Sequence, residues 1–205
     1  MDTNTKPRCA VLGYGSWATA IVKTLTVNHH HVDWLVLNDE IRESLKMRSR
    51  NPKYLPWCYI DQEFMTPSND INAVVRDADI VILAMPSAFF KKFLEPLTES
   101  LADKIVVSAV KGIIPGAYLT IVEPMNRYYD IPMENLAVVT GPSHAEEVGQ
   151  CQLSYLTVAS ESKETAERVR EVLANDFFRC SVSNDVLGVE AAAIMKNIYA
   201  LAVGM

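Results

Sequence analysis

A chain of 205 residues, 49% hydrophobic and 21% charged, has the balance of a globular protein and enough length to bury a core without metal or disulfide staples. Its net charge is −6 with no basic cluster, which argues against nucleic acid as a partner. The four cysteines (Cys9, Cys58, Cys151 and Cys180) lie far apart with no CxxC pair, so neither a disulfide framework nor a zinc site is expected, and a reducing cytoplasm fits.

Taken in order, Met1–Thr5 shows none of the basic and apolar regions of a secretory signal. Beyond it, short β-rich runs alternate with helical patterns. Strands are expected at Cys9–Leu12, Val32–Leu37, Ile80–Ala84, Ile105–Ala109, Leu136–Thr140, Tyr155–Ala159 and Phe178–Val182. Several are continuous Val/Ile/Leu/Ala runs, the pattern of strands covered on both faces. Helices are expected at Trp17–Val27, Glu40–Ser49, Ile71–Arg76, Phe89–Leu101, Leu119–Tyr128, Glu164–Ala174 and Asp185–Gly204. This alternation predicts an α/β fold, a doubly wound and mostly parallel Rossmann-type sheet. The segments Asn51–Pro56 and Tyr129–Pro132 read as turns or loops.

The first strand runs into Gly13-Tyr-Gly15-Ser16-Trp17-Ala18-Thr-Ala20 and then a helix. Gly13 permits the tight turn, Gly15 lets the backbone approach a pyrophosphate, and Ala18 is small enough for helix to pack on strand. The free N–H groups opening that helix then face the anion. GxGxxA alone is a weak signal; between a strand and a helix it predicts a dinucleotide site. The second strand ends Leu37-Asn38-Asp39, about 25 residues past Gly13, where Asn38 or Asp39 can hydrogen-bond a ribose hydroxyl. No Arg stands at the turn, although Arg42 follows one helical turn later. NAD is therefore expected, with NADP possible; the alternative for Asp39 is a plain helix cap. His29-His30-His31 reads as a solvated turn, with no metal site, and Trp34, Trp57 and the methionines as packing residues.

Lys111 and Gly141 follow apolar runs and so stand at carboxyl ends of strands, where open α/β sheets place ligands. Gly141-Pro-Ser143-His resembles a strand-to-helix turn whose backbone donors suit an oxyanion or phosphate. From Val186 to Met205 the only charges are Glu190 and Lys196. A membrane span would need ~20 apolar residues and would carry a Lys and an Asn near its middle, so the expectation is a buried core helix and no integral membrane segment. The helix has an N-cap candidate at Asn184 or Asp185 and reaches the last residue without a stop signal. These features place a domain boundary between 1–183 and 184–205 and suggest a helical domain beyond the sequence in hand. An exposed face of Leu187, Ala191, Ile194, Ile198 and Leu201 is expected to drive association into homo-oligomers.

Five blocks occur in sequence: the Gly13–Ala20 loop, Asn51-Pro-Lys-Tyr-Leu-Pro56, Lys111-Gly112-Ile113, Gly141-Pro-Ser-His-Ala145-Glu146 and Lys196-Asn197-Ile-Tyr-Ala200. Together they resemble the NAD-dependent glycerol-3-phosphate dehydrogenases. Departures are Ala18 and Trp57, where that family often has Gly, and the absence of an Arg near Leu37–Asn38. The resemblance implies interconversion of dihydroxyacetone phosphate and glycerol 3-phosphate, feeding phospholipid synthesis. It also implies that Ser16 and Trp17 line the cofactor phosphates, Phe89 lies by the adenosine and Ala145 abuts the cofactor. Lys111 would touch cofactor and substrate, while Gly141 and Ser143 hold the substrate. The residues that grip most of the substrate phosphate would come from the further helical domain. Hydride arriving at a carbonyl carbon leaves charge on its oxygen, so a proton donor must sit there. Lys196 is the candidate, and Asn197 would orient the substrate. An unperturbed Lys, near 10.4, is a reluctant donor; burial and a neighbouring cation such as Lys111 ease the release. Two other readings are a related hydroxyacid or ketopantoate-type dehydrogenase, and a non-catalytic NAD-binding module, which would have no use for Lys196.

Overall fold

The computed structural model describes residues 6–116 and 119–204, without the side chains of residues 197 and 200. Eight strands form one sheet: β1 (Cys9–Leu12), β2 (Val32–Leu35), β3 (Met65–Ser68), β4 (Ile80–Leu83), β5 (Ile105–Ser108), β6 (Leu136–Thr140), β7 (Ser154–Ala159) and β8 (Phe178–Ser183). The helices among the described residues are α1 (Ser16–Val27), α2 (Asp39–Arg48), α3 (Ile71–Arg76), α4 (Phe90–Leu94), α5 (Val122–Tyr129), α6 (Ala145–Gly149), α7 (Lys163–Leu173) and α8 (Val186–Gly204). The strand order is β3-β2-β1-β4-β5-β6-β7-β8, and every pairing is parallel except β6 with β7. The chain winds outward in one direction from β1 and in the other from β4, which leaves a crevice beyond their carboxyl ends.

The period of two along each strand divides the apolar residues between two cores. Val11, Trp34, Ile82 and Val107 pack with α1, α6 and α7 on one face. Leu12, Leu35, Leu83 and Val106 pack with α3, α4 and α5 on the other. Both faces are thus covered, which is why β1, β4 and β5 are apolar without alternation.

The structure departs from the sequence expectations in several places. Strand β3 was not expected, because Met65-Thr-Pro67-Ser is polar and contains proline; as an edge strand it tolerates a residue with no N–H. Strand β2 stops at Leu35. The single helix expected over Phe89–Leu101 is a 3-10 turn at Ser87–Phe89 followed by the short α4, which ends just before Pro96. Helix α6 follows the strand-to-helix turn expected at Gly141–His144, although its extent was not set in advance. Helix α8 is not a buried core helix among the described residues. Val186, Glu190 and Ala193 face inward, whereas Leu187 and Leu201 are about 70% exposed (71% and 69%). Its N-cap is Asp185, which accepts the Gly188 N–H at 2.8 Å. By length and composition α8 would suffice to cross a membrane, but its two interior charges are both bonded to the sheet domain, as described below.

Candidate functional site

The crevice is shaped by its glycines. Gly13 has φ 125°, and a Cβ there would run into the backbone of Ala84 at the end of β4. No other residue serves at that point. Gly15 is the N-cap of α1 with an ordinary extended backbone (φ −76°, ψ −174°), and a Cβ there would meet no protein atom within 4 Å. The two glycines therefore do different work: Gly13 lets β1 and β4 approach, and Gly15 keeps space open. Ala18 is fully buried where α1 packs on the sheet.

Above the loop lies a cleft of about 470 Å³, lined by Gly13, Gly15, Ser16, Trp17, Phe89 and Lys111 together with Tyr14, Tyr54, Met85 and Phe93. Six of the expected residues thus share one cavity. Ala18, Asn38, Asp39, Ala145, Gly141, Ser143 and Lys196 do not line it. Helix α1 opens without a side-chain cap or an acidic residue in its first turn, and the N–H groups of Tyr14, Gly15 and Ser16 meet no acceptor among the described residues. The buried Trp17 Nε1 also has no partner there. Open space above Gly15 and unused donors fit a dinucleotide whose pyrophosphate sits on the start of α1.

At the end of β2 the Asn38 side chain caps α2, accepting the Ile41 N–H at 3.0 Å. The cap considered for Asp39 is therefore Asn38. Asp39 is exposed and pairs with Arg42, whose guanidinium also donates to Val36 O at 3.1 Å.

A second set of groups gathers at the far end of the cleft. Lys111 Nζ stands 5.1 Å from the centre of the Trp17 ring, a cation–π contact. Burial, and then the nearby Lys196 ammonium, hold the Lys111 amine below its ordinary range. Lys196 Nζ donates to Gly141 O at 3.5 Å, so α8 reaches over the end of β6. A Cβ at Gly141 would strike the Tyr155 carbonyl and Leu156 on β7. Ser143 is buried, and its hydroxyl donates to Tyr155 O at 3.0 Å. Ala145 begins α6, facing the core. The Asn197 side chain lies outside the described residues.

Helix α8 is held in place by Glu190, a residue the sequence reading did not single out. Its buried Oε1 accepts the N–H groups of Ile121 and Val122 at the start of α5, at 3.2 and 3.4 Å, and burial raises the carboxyl. The available signal was a lone carboxylate in an otherwise apolar helix. Asn51 and Trp34 were also missed as parts of the site: Asn51 Nδ2 donates to Tyr14 O, and Trp34 Nε1 to Gly13 O. The histidine run lies at the opposite, amino end of β2. His30 is buried with Nδ1 3.2 Å from Pro7 O, which corrects the expectation of a wholly solvated turn. Among the described residues no cluster could hold a metal ion.

Comparison with known proteins agrees with this arrangement. The family described as "NAD-dependent glycerol-3-phosphate dehydrogenase N-terminus" matches residues 8–166. A glycerol-3-phosphate dehydrogenase [NAD(P)+] of Agathobacter rectalis is 34% identical over 200 residues, covering 97% of this chain and 58% of that protein. One of Pseudomonas fluorescens (strain SBW25) is 35% identical over 196 residues, covering 96% and 57%. The crystal structure of the Coxiella burnetii glycerol-3-phosphate dehydrogenase superposes with a TM-score of 0.85 at 26% identity, covering 97% of this chain and 60% of that one. The Plasmodium falciparum enzyme has the same fold, with a TM-score of 0.89 at 21% identity over 98% and 59%. The chain thus spans about three fifths of the length of these relatives. With its glycine loop, its cleft and its sequence in agreement, this chain belongs to the NAD-dependent glycerol-3-phosphate dehydrogenase family and matches its N-terminal part.

Proposed function

We propose that this chain supplies the nucleotide half of an enzyme that interconverts dihydroxyacetone phosphate and sn-glycerol 3-phosphate in the cytoplasm, for phospholipid synthesis. The observation that carries this reading is the cleft over the glycine loop with Lys111 in its wall, together with Lys196, whose amine meets Gly141 O at the end of β6. In this reading Gly13, Gly15, Ser16 and Trp17 hold the pyrophosphate, Phe89 lies by the adenosine, and Asn38 and Asp39 meet the ribose. The tie between Asp39 and Arg42 keeps that cation from a 2′-phosphate and favours NAD over NADP. Residues 1–183 form the nucleotide domain, and 184–205 begin the substrate domain. Association of copies of this chain rests on the exposed apolar face of α8.

When bound, a nicotinamide would supply or accept the hydride at the substrate's C2. Lys196 gives a proton to the C2 oxygen as charge develops there, and takes it back in the reverse direction. Its contact with Gly141 O holds the amine at the strand end. Lys111, placed over the Trp17 ring, sets a second positive charge beside the substrate, and Asn197 orients it. Ala145 opens α6 beside the cofactor. Gly141 and the buried Ser143 shape the substrate-facing turn, Ser143 by tying it to β7. Further partners for the substrate phosphate are expected from the part of the relatives' length that this chain does not span, and orientation carries ~7–11 kcal/mol of such a barrier. This chain alone is therefore expected to bind NADH without turning over dihydroxyacetone phosphate appreciably. The test joins this chain to the remaining C-terminal part of the Agathobacter rectalis relative and follows NADH absorbance. NADH loss that requires dihydroxyacetone phosphate and disappears in Lys196→Ala supports the reading. A folded chimera that binds NADH but leaves it unoxidised refutes it.

A further inference from the structure

The nucleotide loop holds an ordered set of hydrogen bonds that involve no cofactor. Three consecutive carbonyls are each engaged from the protein interior. Gly13 O accepts Trp34 Nε1–H at 2.6 Å. Tyr14 O accepts Asn51 Nδ2–H at 3.0 Å. Gly15 O accepts both the N–H and the hydroxyl of Thr19, each at 2.9 Å. The described peptide bonds are all trans, and a planar trans peptide points its N–H opposite to its C=O. Fixing these three carbonyls inward therefore turns the N–H groups of Tyr14, Gly15 and Ser16 outward, and none of the three meets an acceptor among the described residues.

The donors are themselves fixed. Trp34 and Asn51 are fully buried. Asn51 Nδ2 also donates to Thr19 Oγ1 at 3.0 Å, and its Oδ1 accepts the N–H groups of Lys53 and Tyr54 at 3.2 and 3.1 Å. Two of its partners can only donate and one can only accept, so the amide has a single workable orientation. Through Tyr54, which lines the cleft, the same side chain ties the wall of the cleft to its floor.

We propose that Asn51 and Trp34 are positioning residues that preset the peptide planes of the loop, so that three backbone donors already face the pyrophosphate before the cofactor arrives. The inference rests on the assignment of the cleft to NAD. Its energetic basis is preorganisation: a glycine loop free to flip its peptide planes would have to be ordered at the expense of affinity.

The test uses the 205-residue chain and two variants. Asn51→Asp exchanges the amide donor for an acceptor while leaving an oxygen for Lys53 and Tyr54; Trp34→Phe removes only the indole N–H from a retained ring. In the cofactor-free wild type, the Gly15 and Ser16 amides should give single sharp nitrogen-15 resonances, and the Trp34 indole proton should exchange slowly. NADH should bind about tenfold more weakly to Asn51→Asp and about fivefold more weakly to Trp34→Phe, with a displaced Gly15 resonance in the absence of ligand. Adenosine, which has no phosphate, should bind each variant as it binds the wild type, a result that general loss of structure would not give. Unchanged NADH affinity in either folded variant overturns the inference. So do exchange-broadened loop amides in the wild type, a readout that does not depend on the variants folding. A wild-type chain that binds no NADH but has sharp loop amides refutes the cofactor assignment instead.

Discussion

The two ends of the cleft are built to different degrees. At the β1–β4 end, every wall of the cofactor site comes from within about a hundred residues of chain, and the loop is held by fully buried donors. At the α8 end, Lys196 and Gly141 meet, but the helix that carries Lys196 leaves Leu187, Ile198 and Leu201 exposed. In the proposed reading the first end lacks only its ligand, whereas the second also lacks a cover for the apolar face of α8. Binding and turnover should therefore be separable in this chain.

The largest effects are expected at the two glycines. Gly13→Ala puts a Cβ into the Ala84 backbone at a left-handed φ, and strain and overpacking together should remove about 4 kcal/mol of stability. Denaturant unfolding checks this, and a variant as stable as the wild type would show that β1 and β4 do not meet so closely. Gly15→Val, by contrast, places its side chain in empty space on an extended backbone. Stability should change by less than about 0.5 kcal/mol, while NADH affinity in a calorimetric titration falls at least a hundredfold.

A smaller effect is expected on α8. If its apolar face is the uncovered part of the second end, the wild-type chain should self-associate, and Leu187→Lys with Ile198→Lys should shift it toward monomer in light scattering. A monomeric wild type would refute this. Glu190→Gln sharpens the same point. The Glu190 carboxyl is raised above 4.5 by burial, so across that window the folded state binds more protons than the unfolded one. Stability must then fall as pH rises through it. Gln keeps an acceptor for Ile121 and Val122 without the charge. It should abolish that slope and change neutral-pH stability by about 1 kcal/mol, whereas Glu190→Ala leaves two N–H groups unpaired and costs about 1–3 kcal/mol. An unaltered pH profile in Glu190→Gln would assign the slope elsewhere.

The smallest effect concerns cofactor choice. With Arg42 held by Asp39 and Val36 O, NADH should bind a few-fold more tightly than NADPH, and Asp39→Ala should narrow the gap. Equal affinities in the wild type would show that this turn does not read the ribose.

Much of the first end was legible in the sequence because its signals are local. The continuous apolar runs of β1, β4 and β5 announced strands covered on both faces, and Gly13, Gly15 and Ala18 stand at spacings fixed by one turn. What was missed depends on contacts distant in sequence. Asn51 reads as a turn residue until its amide is seen 37 positions away at Tyr14, and Trp34 reads as packing until its Nε1 meets Gly13. Glu190 reads as a stray charge until it caps α5. β3 was hidden by Pro67, which only an edge strand tolerates. The exposure of α8 was half legible: its apolar face was expected to lie bare, but the same composition also suggested a buried helix.

The most direct test of the account is a calorimetric titration of NADH into the wild-type 205-residue chain. Saturable one-to-one binding is expected, because the cleft over Gly15 is complete without the rest of the relatives' length. No saturable binding by a folded chain would contradict it.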